Sequence, residues 1–263
     1  MRWREEGRLD CPRRTDPVAA ARAGGGAAGG SPGVTAPKPR ATLQASGRRG
    51  EGNVSIALPT GVLLPGALRL LSRAGVMRLS ATELGRRLLV ERSGVRVILV
   101  RPADVPAYVD HGAADLGIVG KDVLWESNGT HYELVDLRFG PCRLVLAVPD
   151  GSKLNGPETW PPLMRVATKL PRTAAAWFES RGQAVEVVQL HGSVELAPQV
   201  GLVDGIVDLT ASGRTLRENH LRIAATLGSS TARLIGNQAS LKTRTDAVQA
   251  MVARLREAAG NGD

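Results

Sequence analysis

The residues best suited to chemistry lie together between positions 208 and 215. Ile206 to Leu209 is an apolar run bounded by turn residues and reads as a short buried strand, with Asp208 near its end. Thr210, Ala211, Ser212, Gly213, Arg214 and Thr215 follow, and a helix-like segment starts near Thr215. A strand, a short polar loop and a helix start expose several free backbone N–H groups. Those groups and the helix dipole favour an anion, phosphate above all. Ser212 and Thr215 add hydroxyl donors, and Gly213 lets oxygen atoms approach the backbone. The same residues also fit an ordinary strand-to-helix turn capped by Ser or Thr. Asp208, two residues ahead of the loop, tilts the balance towards ligand binding, because a carboxylate there can hold a ribose hydroxyl or Mg²⁺ beside a phosphate.

Such a loop needs a rigid frame, and the chain is long enough to build one. At 263 residues it holds one large or two small domains, and 43% hydrophobic residues support a core. Aromatics are only 3%, so Val, Leu, Ile and Ala must fill that core. No run approaches the roughly 18 apolar residues of a membrane span. Cys11 and Cys142 fit no metal or redox spacing and point to a reducing, cytoplasmic setting. The net charge of +9 suggests nucleic acid, but ten of the 34 basic residues and four of the 25 acidic ones fall in residues 1–50. Two-thirds of the excess is thus in that tail, with no aromatic platform beside it. The modestly basic remainder suits a binder of polyphosphates.

Residues 1–52, rich in Arg, Gly, Ala and Pro, have no apolar period and read as a disordered, dispensable extension. They lack the continuous apolar core of a secretory signal. From Val54 the pattern alternates. Strands are expected at Val54 to Leu58, Val95 to Val100, Leu116 to Val119, Leu144 to Val148, Arg165 to Ala167, Val185 to Gln189 and Thr231 to Ile235. Helices are expected at Leu63 to Gly75, Ala107 to His111, Thr173 to Arg181 and Thr243 to Ala259. Strands alternating with helices predict an α/β fold with mainly parallel sheets.

Several ordered pieces of the body carry a resemblance. They are Gly192-Ser193-Val194-Glu195-Leu196-Ala197-Pro198, Gly201 to Leu209, Ser212-Gly213-Arg214-Thr215-Leu216, Arg101 to Tyr108, Gly112 to Gly120, Cys142-Arg143-Leu144 and Ala167 to Pro171. Together they resemble the ATP phosphoribosyltransferase family, the first enzymes of histidine biosynthesis. The resemblance implies a two-lobed fold like a type II periplasmic binding protein, with the active site in the central cleft. By analogy one lobe is Val54 to Leu137 plus Arg222 to Asp263, and the other is Arg138 to Leu221. The body ends soon after its last helix, which resembles the family's short form. That form works with a regulatory subunit similar to histidyl-tRNA synthetase.

The implied reaction joins the N1 atom of ATP to C1 of the ribose of phosphoribosyl diphosphate, releases pyrophosphate and uses Mg²⁺. Thr210 to Thr215 would hold the 5-phosphate, and Asp208 the ribose hydroxyls, directly or through the metal. Glu195 would face the same cleft, or serve as a helix N-terminal acid complementing the dipole. Arg143 would face pyrophosphate or triphosphate, or form a lobe-surface salt bridge. Lys169 follows a strand end, where an anion contact fits. Arg101 would line the cleft or pin the turn at Pro102, and Asp115 would contact substrate or close a helix–strand turn.

One loop departs from the family. Pro59-Thr60-Gly61-Val62-Leu63 carries Thr60 and Val62 where the family usually has Lys and Arg. Each lost charge-assisted hydrogen bond costs ~1.5–3 kcal/mol. The departure leaves a second reading open, a two-lobed sensor that binds a phosphorylated metabolite without turnover. A third, nucleic-acid binding through the Arg-rich tail, rests on charge alone.

Overall fold

The computed structural model of the protein describes residues 53–260 and, ahead of them, two short strands, β1 (Arg2–Trp3) and β2 (Leu9–Asp10), paired antiparallel. The rest of the expected extension over residues 1–52 lies outside the described residues. The chain continues through β3 (Val54–Pro59), α1 (Leu64–Arg73), α2 (Ala81–Leu84), β4 (Leu89–Arg92), β5 (Val95–Val100), α3 (Val105–Asp110), β6 (Leu116–Gly120), α4 (Lys121–Glu126) and β7 (Tyr132–Asp136). It then forms β8 (Cys142–Pro149), β9 (Leu163–Thr168), α5 (Pro171–Glu179), β10 (Ala184–Gln189), β11 (Gly205–Thr210), α6 (Arg214–Glu218) and β12 (Leu221–Ser230). The chain closes with β13 (Ala232–Gly236), α7 (Gln238–Thr243) and α8 (Thr245–Gly260).

Two sheets organise two lobes, in the orders β4-β5-β3-β6-β13-β7 and β10-β9-β11-β8-β12. Each sheet has its own apolar core. Ile56, Leu58, Val97 and Leu116 of the first pack with Leu70, Leu71, Met251 and Leu255 of α1 and α8. Leu144, Leu146, Met164 and Val207 of the second pack with Trp177 and Phe178 of α5. With few aromatics available, three of them gather there: Trp177 meets Phe178 edge-on at 5.0 Å, and Trp160 lies 6.0 Å from Trp177.

The sheets are mixed, which corrects the expectation of mainly parallel pairing. Parallel pairs are confined to β3 with β5 and β6, and β9 with β10 and β11. The strands next to the lobe crossings run against them: β8 with β11 and β12, and β13 with β6 and β7. A strand that brings the chain into a lobe, or takes it out, has no helical crossover to force parallel pairing. The lobe boundary also moves. β12 pairs with β8 as far as Ser230 opposite Cys142, so Arg222–Ser230 belongs to the second sheet rather than the first. Two register shifts interrupt that pairing, between Ile223 and Ala225 and between Thr226 and Gly228.

α4 clasps the lobes together. It follows β6 of the first sheet, yet Trp125 is buried in the second lobe's core. Gly228 makes room, since a Cβ there would lie 2.9 Å from the Trp125 ring. The neighbouring Glu126 carboxylate caps α5, accepting from the amides of Arg172 and Thr173, each at 3.0 Å, and from the Thr173 hydroxyl at 2.8 Å. Arg172 returns a bond to the Glu126 carbonyl at 3.1 Å.

The first lobe is pinned by a buried carboxylate. Asp115, fully buried, accepts from the Ser55 amide at 2.8 Å, the Ser55 and Ser240 hydroxyls at 2.7 Å and the Arg244 guanidinium at 2.8 Å. Arg244, between α7 and α8, also reaches the Asn53 carbonyl; α8 matches the helix expected over Thr243 to Ala259, and α7 is a further helix ahead of it. Burial raises the Asp115 pKa, but the Ser55 and Ser240 hydrogen bonds and the Arg244 charge outweigh it, and the net shift is downward. A depressed folded-state pKa gives stability that is present above the ordinary Asp value and lost as pH falls through the lowered one. Stability should therefore drop below about pH 4. Asp115→Asn should cost ~3–5 kcal/mol at pH 7 by leaving Arg244 unpaired. Urea unfolding at pH 7 and pH 3 checks both: the variant's deficit should be smaller at the lower pH.

Candidate active site

The cleft between the lobes has a volume of about 550 Å³. Strand ends and the turns after them build its walls. The first lobe contributes the Thr60–Leu63 loop after β3, Pro102 after β5, and Gly120 and Asp122 where β6 gives way to α4. The crossing contributes Gly140, Pro141 and Cys142, and the second lobe contributes Leu209, Thr210 and Ala211 at the end of β11. Ser230, on the last residue of β12, closes the far side. In open α/β sheets this is where ligands gather, outside the carboxyl ends of the parallel strands.

The loop after β11 folds on itself. The Gly213 amide donates to the Thr210 hydroxyl at 2.8 Å, and Gly213 takes the left-handed φ of 74° that its lack of a Cβ permits. Among the described residues, the amides of Ala211 and Ser212 donate to no protein acceptor. Ser212 and Thr215 are exposed. The Arg214 side chain, also exposed, is held by Glu218 one turn on, at 2.7 Å. Arg217 steadies the turn by donating to the Ser212 carbonyl at 3.1 Å.

Register fixes which side chains share the sheet face at this end. Thr210 stands opposite Arg143 across the antiparallel pair, and Asp208 opposite Val145. Directly opposed residues point to one face, as do residues two apart on a strand. Asp208, Thr210 and Arg143 therefore line up on one side. Glu195 sits half-buried on a single 3-10 turn, Val194–Leu196. Asp208 feels both Glu195 and Lys169: burial pushes its carboxyl pKa up, the Leu209 amide and the Lys169 charge oppose that, and the Glu195 charge adds to it. The net shift is upward. This end of the sheet thus gathers Asp208, Glu195, Lys169, Arg143 and the 210–215 loop.

Two of the sequence candidates lie apart from that group. Asp115 precedes β6, and Gly120 at the other end of that strand lines the cleft. Five residue-to-residue steps along the strand separate them, about 16 Å. With its buried carboxylate bonded to Ser55, Ser240 and Arg244, Asp115 is a structural anchor, and the substrate contact expected of it is corrected to the turn-closing role. Arg101 is exposed, immediately before Pro102 at the cleft wall on the first lobe's side.

Sequence reasoning missed Asp122 and Ser230. The Ser230 hydroxyl donates to the Asp122 carboxylate at 2.7 Å and accepts from the Asp122 amide at 3.1 Å, joining the lobes across the cleft floor. Asp122 was within reach, because Gly120-Lys121-Asp122 is again a polar turn between a strand and a helix. Beside them, burial and then the Asp122 charge raise the Cys142 pKa, so its thiol stays protonated and is no nucleophile.

Comparison with known proteins agrees with this architecture. The family model described as ATP phosphoribosyltransferase matches residues 101–257. An ATP phosphoribosyltransferase of Rubrobacter xylanophilus is 50% identical over 202 residues, covering 76% of this chain and 94% of that protein. One from Caldanaerobacter subterraneus is 44% identical, covering 80% and 99%. Among solved structures, a chain of the ATP phosphoribosyl transferase (HisG:HisZ) complex from Thermotoga maritima is 34% identical, with a TM-score of 0.67 over 80% of this chain and 100% of that one. The periplasmic aliphatic sulphonate binding protein SsuA of Escherichia coli, 14% identical with a TM-score of 0.52 over 79% and 72%, shares the two-lobed fold alone. With a family model spanning more than half its length and relatives 44% and 50% identical over about four-fifths and three-quarters of it, the chain belongs to the ATP phosphoribosyltransferase family.

Proposed function

We propose that the cleft between the lobes is where this chain carries out the family's reaction, with the Thr210–Thr215 loop as the seat of the 5-phosphate. The protein transfers the 5-phosphoribosyl group of phosphoribosyl diphosphate to N1 of ATP. Pyrophosphate leaves, and N1-(5-phosphoribosyl)-ATP forms, the first step of histidine biosynthesis. The observation that carries this placement is that Asp208, Lys169, Glu195 and Arg143 gather around the end of β11, whose Thr210 and Ala211 line the cleft and are followed by the amide of Ser212.

Phosphoribosyl transfer asks little covalent help of a protein. It needs two polyanions held in line and the leaving charge neutralised. Free amides at Ala211 and Ser212, with the nearby hydroxyls, suit the 5-phosphate. Asp208 suits the ribose hydroxyls, with Glu195 beside it. Arg143, one strand over from Thr210, suits the pyrophosphate, and Lys169 adds a cation at the same edge. Mg²⁺ supplies further neutralisation of phosphate oxygens in this chemistry. Among the described residues no group of three or more His, Cys, Asp or Glu is placed to cage a metal. Mg²⁺ is usually held by one or two carboxylates plus substrate phosphates, and Asp208 is the carboxylate placed for that.

The Thermotoga maritima relative is solved as a complex of two kinds of subunit. We take this chain likewise as a catalytic subunit that works with a regulatory partner resembling histidyl-tRNA synthetase. No described helix is long and apolar enough to cross a membrane, and we place the reaction in the cytoplasm.

Incubated with that partner, Mg²⁺ and both substrates, the chain should yield phosphoribosyl-ATP and pyrophosphate by mass spectrometry. Stabilisation by phosphoribosyl diphosphate without product would instead support the sensor reading. Gly213→Ala forces a side chain into φ 74° and should raise KM for phosphoribosyl diphosphate at least about tenfold, at ~1.4 kcal/mol per decade. Gly182→Ala, at φ 67° with open space around it, controls for backbone strain and should leave KM alone.

Val62 is 93% exposed at the cleft wall. Val62→Arg restores a cation there and should lower a substrate KM by about tenfold, the worth of one charge-assisted hydrogen bond. An unchanged KM for both substrates would show that the loop does not meet phosphate.

Asp208 gives a further test with an unusual sign. Its pKa is raised on folding, so the folded state binds more protons than the unfolded one, and stability falls as pH rises through that window. Asp208→Asn removes that burden at neutral pH. It should cut transfer by about a hundredfold, the scale of one lost transition-state contact, while the melting temperature at pH 7 holds or rises. A variant that melts lower would mean that the carboxylate serves the fold.

A further inference from the structure

A second cavity, of about 380 Å³, lies beside α1 and shares no lining residue with the cleft. Arg69, Ser72 and Arg73 of α1 form one wall, Arg138 of the crossing after β7 forms another, and Leu137 and Phe139 supply apolar surface. Among the described residues no acidic one lines it. Among the described residues none of these three guanidiniums makes an ion pair, whereas Arg96, Arg165, Arg214, Arg233 and Arg244 each face a carboxylate.

Two further features set the cavity apart. Arg69 and Arg73 are four residues apart on α1, an arrangement of like charges that a helix by itself disfavours. Arg138 takes a left-handed φ of 57°, uncommon for a large side chain, while the Asp136 carboxylate holds its amide at 2.9 Å. Backbone strain of this kind collects at ligand clamps. The Phe139 ring packs directly over Gly66, where a Cβ would lie 2.4 Å from it.

We propose that this cavity binds a small organic phosphate, its phosphate gripped by Arg69, Arg73 and Arg138 and its apolar part laid against Leu137 and Phe139. The planar fork of each guanidinium matches pairs of phosphate oxygens. The volume lies in the range of small-ligand pockets. Leu137 to Phe139 run directly into Gly140–Cys142 of the cleft, and α1 follows directly on the Thr60–Leu63 loop. A bound molecule therefore rests on two stretches of backbone that the cleft also uses. The proposal does not depend on how the cleft itself is assigned.

Phenyl phosphate is a suitable probe, titrated into the full chain at constant ionic strength while backbone amide NMR shifts are followed. Saturable shifts should appear at residues 69–73 and 137–139, with inorganic phosphate and phenol each binding there more weakly. In the Arg69→Gln, Arg138→Gln double variant Kd at those residues should rise at least tenfold. Both side chains are exposed, so its melting temperature should stay near that of the parent; Arg73→Gln serves if it does not. Shifts confined to residues 208–215, shifts that never saturate, or a Kd unchanged in the variants would overturn the proposal.

Discussion

The cleft exists because the two lobes are held at a fixed separation, and the hold is chiefly Trp125. Its helix belongs by sequence to the first sheet, but its ring is buried in the second core over Gly228. Glu126 then caps α5 of the second lobe. Two short crossings, at residues 137–142 and at Thr231, complete the connection. Ser230 and Asp122 bond between them at the cleft floor. Large rotation of one lobe on the other would have to pull an indole out of a packed core, which full truncation places at ~3–5 kcal/mol. Substrate therefore meets a cleft whose walls are already set, and pre-organisation of that kind is what a reaction driven by positioning requires.

Two half- or fully buried aspartates show the division between frame and site. Asp115 is surrounded by donors and holds its charge more readily than in water. Asp208 is stripped of water by burial, with the Glu195 charge adding to that, and holds its charge less readily. The first arrangement stabilises the fold. The second stores a need that a hydroxyl or a cation can meet, and groups perturbed in that direction gather at functional sites.

Much of this was legible in the sequence. The apolar run at Val95–Val100 marked β5 to the residue, and the loop at 210–215 announced itself by its small and hydroxylated residues. Elements were missed where local pattern was weak. β4 and β7 are short, largely exposed edge strands carrying charges, Glu91 and Arg92 in one and Glu133 and Asp136 in the other. Such strands show no clean alternation. Long-range partners were invisible altogether. Nothing beside Asp115 signals that Ser55, Ser240 and Arg244, between 60 and 129 residues away, will surround it. Trp125 likewise reads as an ordinary apolar helix residue, and only the fold shows that it has crossed to the other lobe.

The two register shifts in β12 have a consequence for how this chain tolerates change. Each adds a residue to β12 that β8 does not match, and the second falls at Leu227 and Gly228, where Trp125 docks. Leu227 is the residue that β8 leaves unmatched at the second shift, yet it is buried in the second core. Deleting it would straighten the ladder there and remove a core side chain at once. In the regularly paired stretches a one-residue deletion would slip the register and turn the residues beyond it to the opposite face. The strand thus works as a gauge of fixed length, whereas the Gly- and Pro-rich connector between β8 and β9 is free to drift in length.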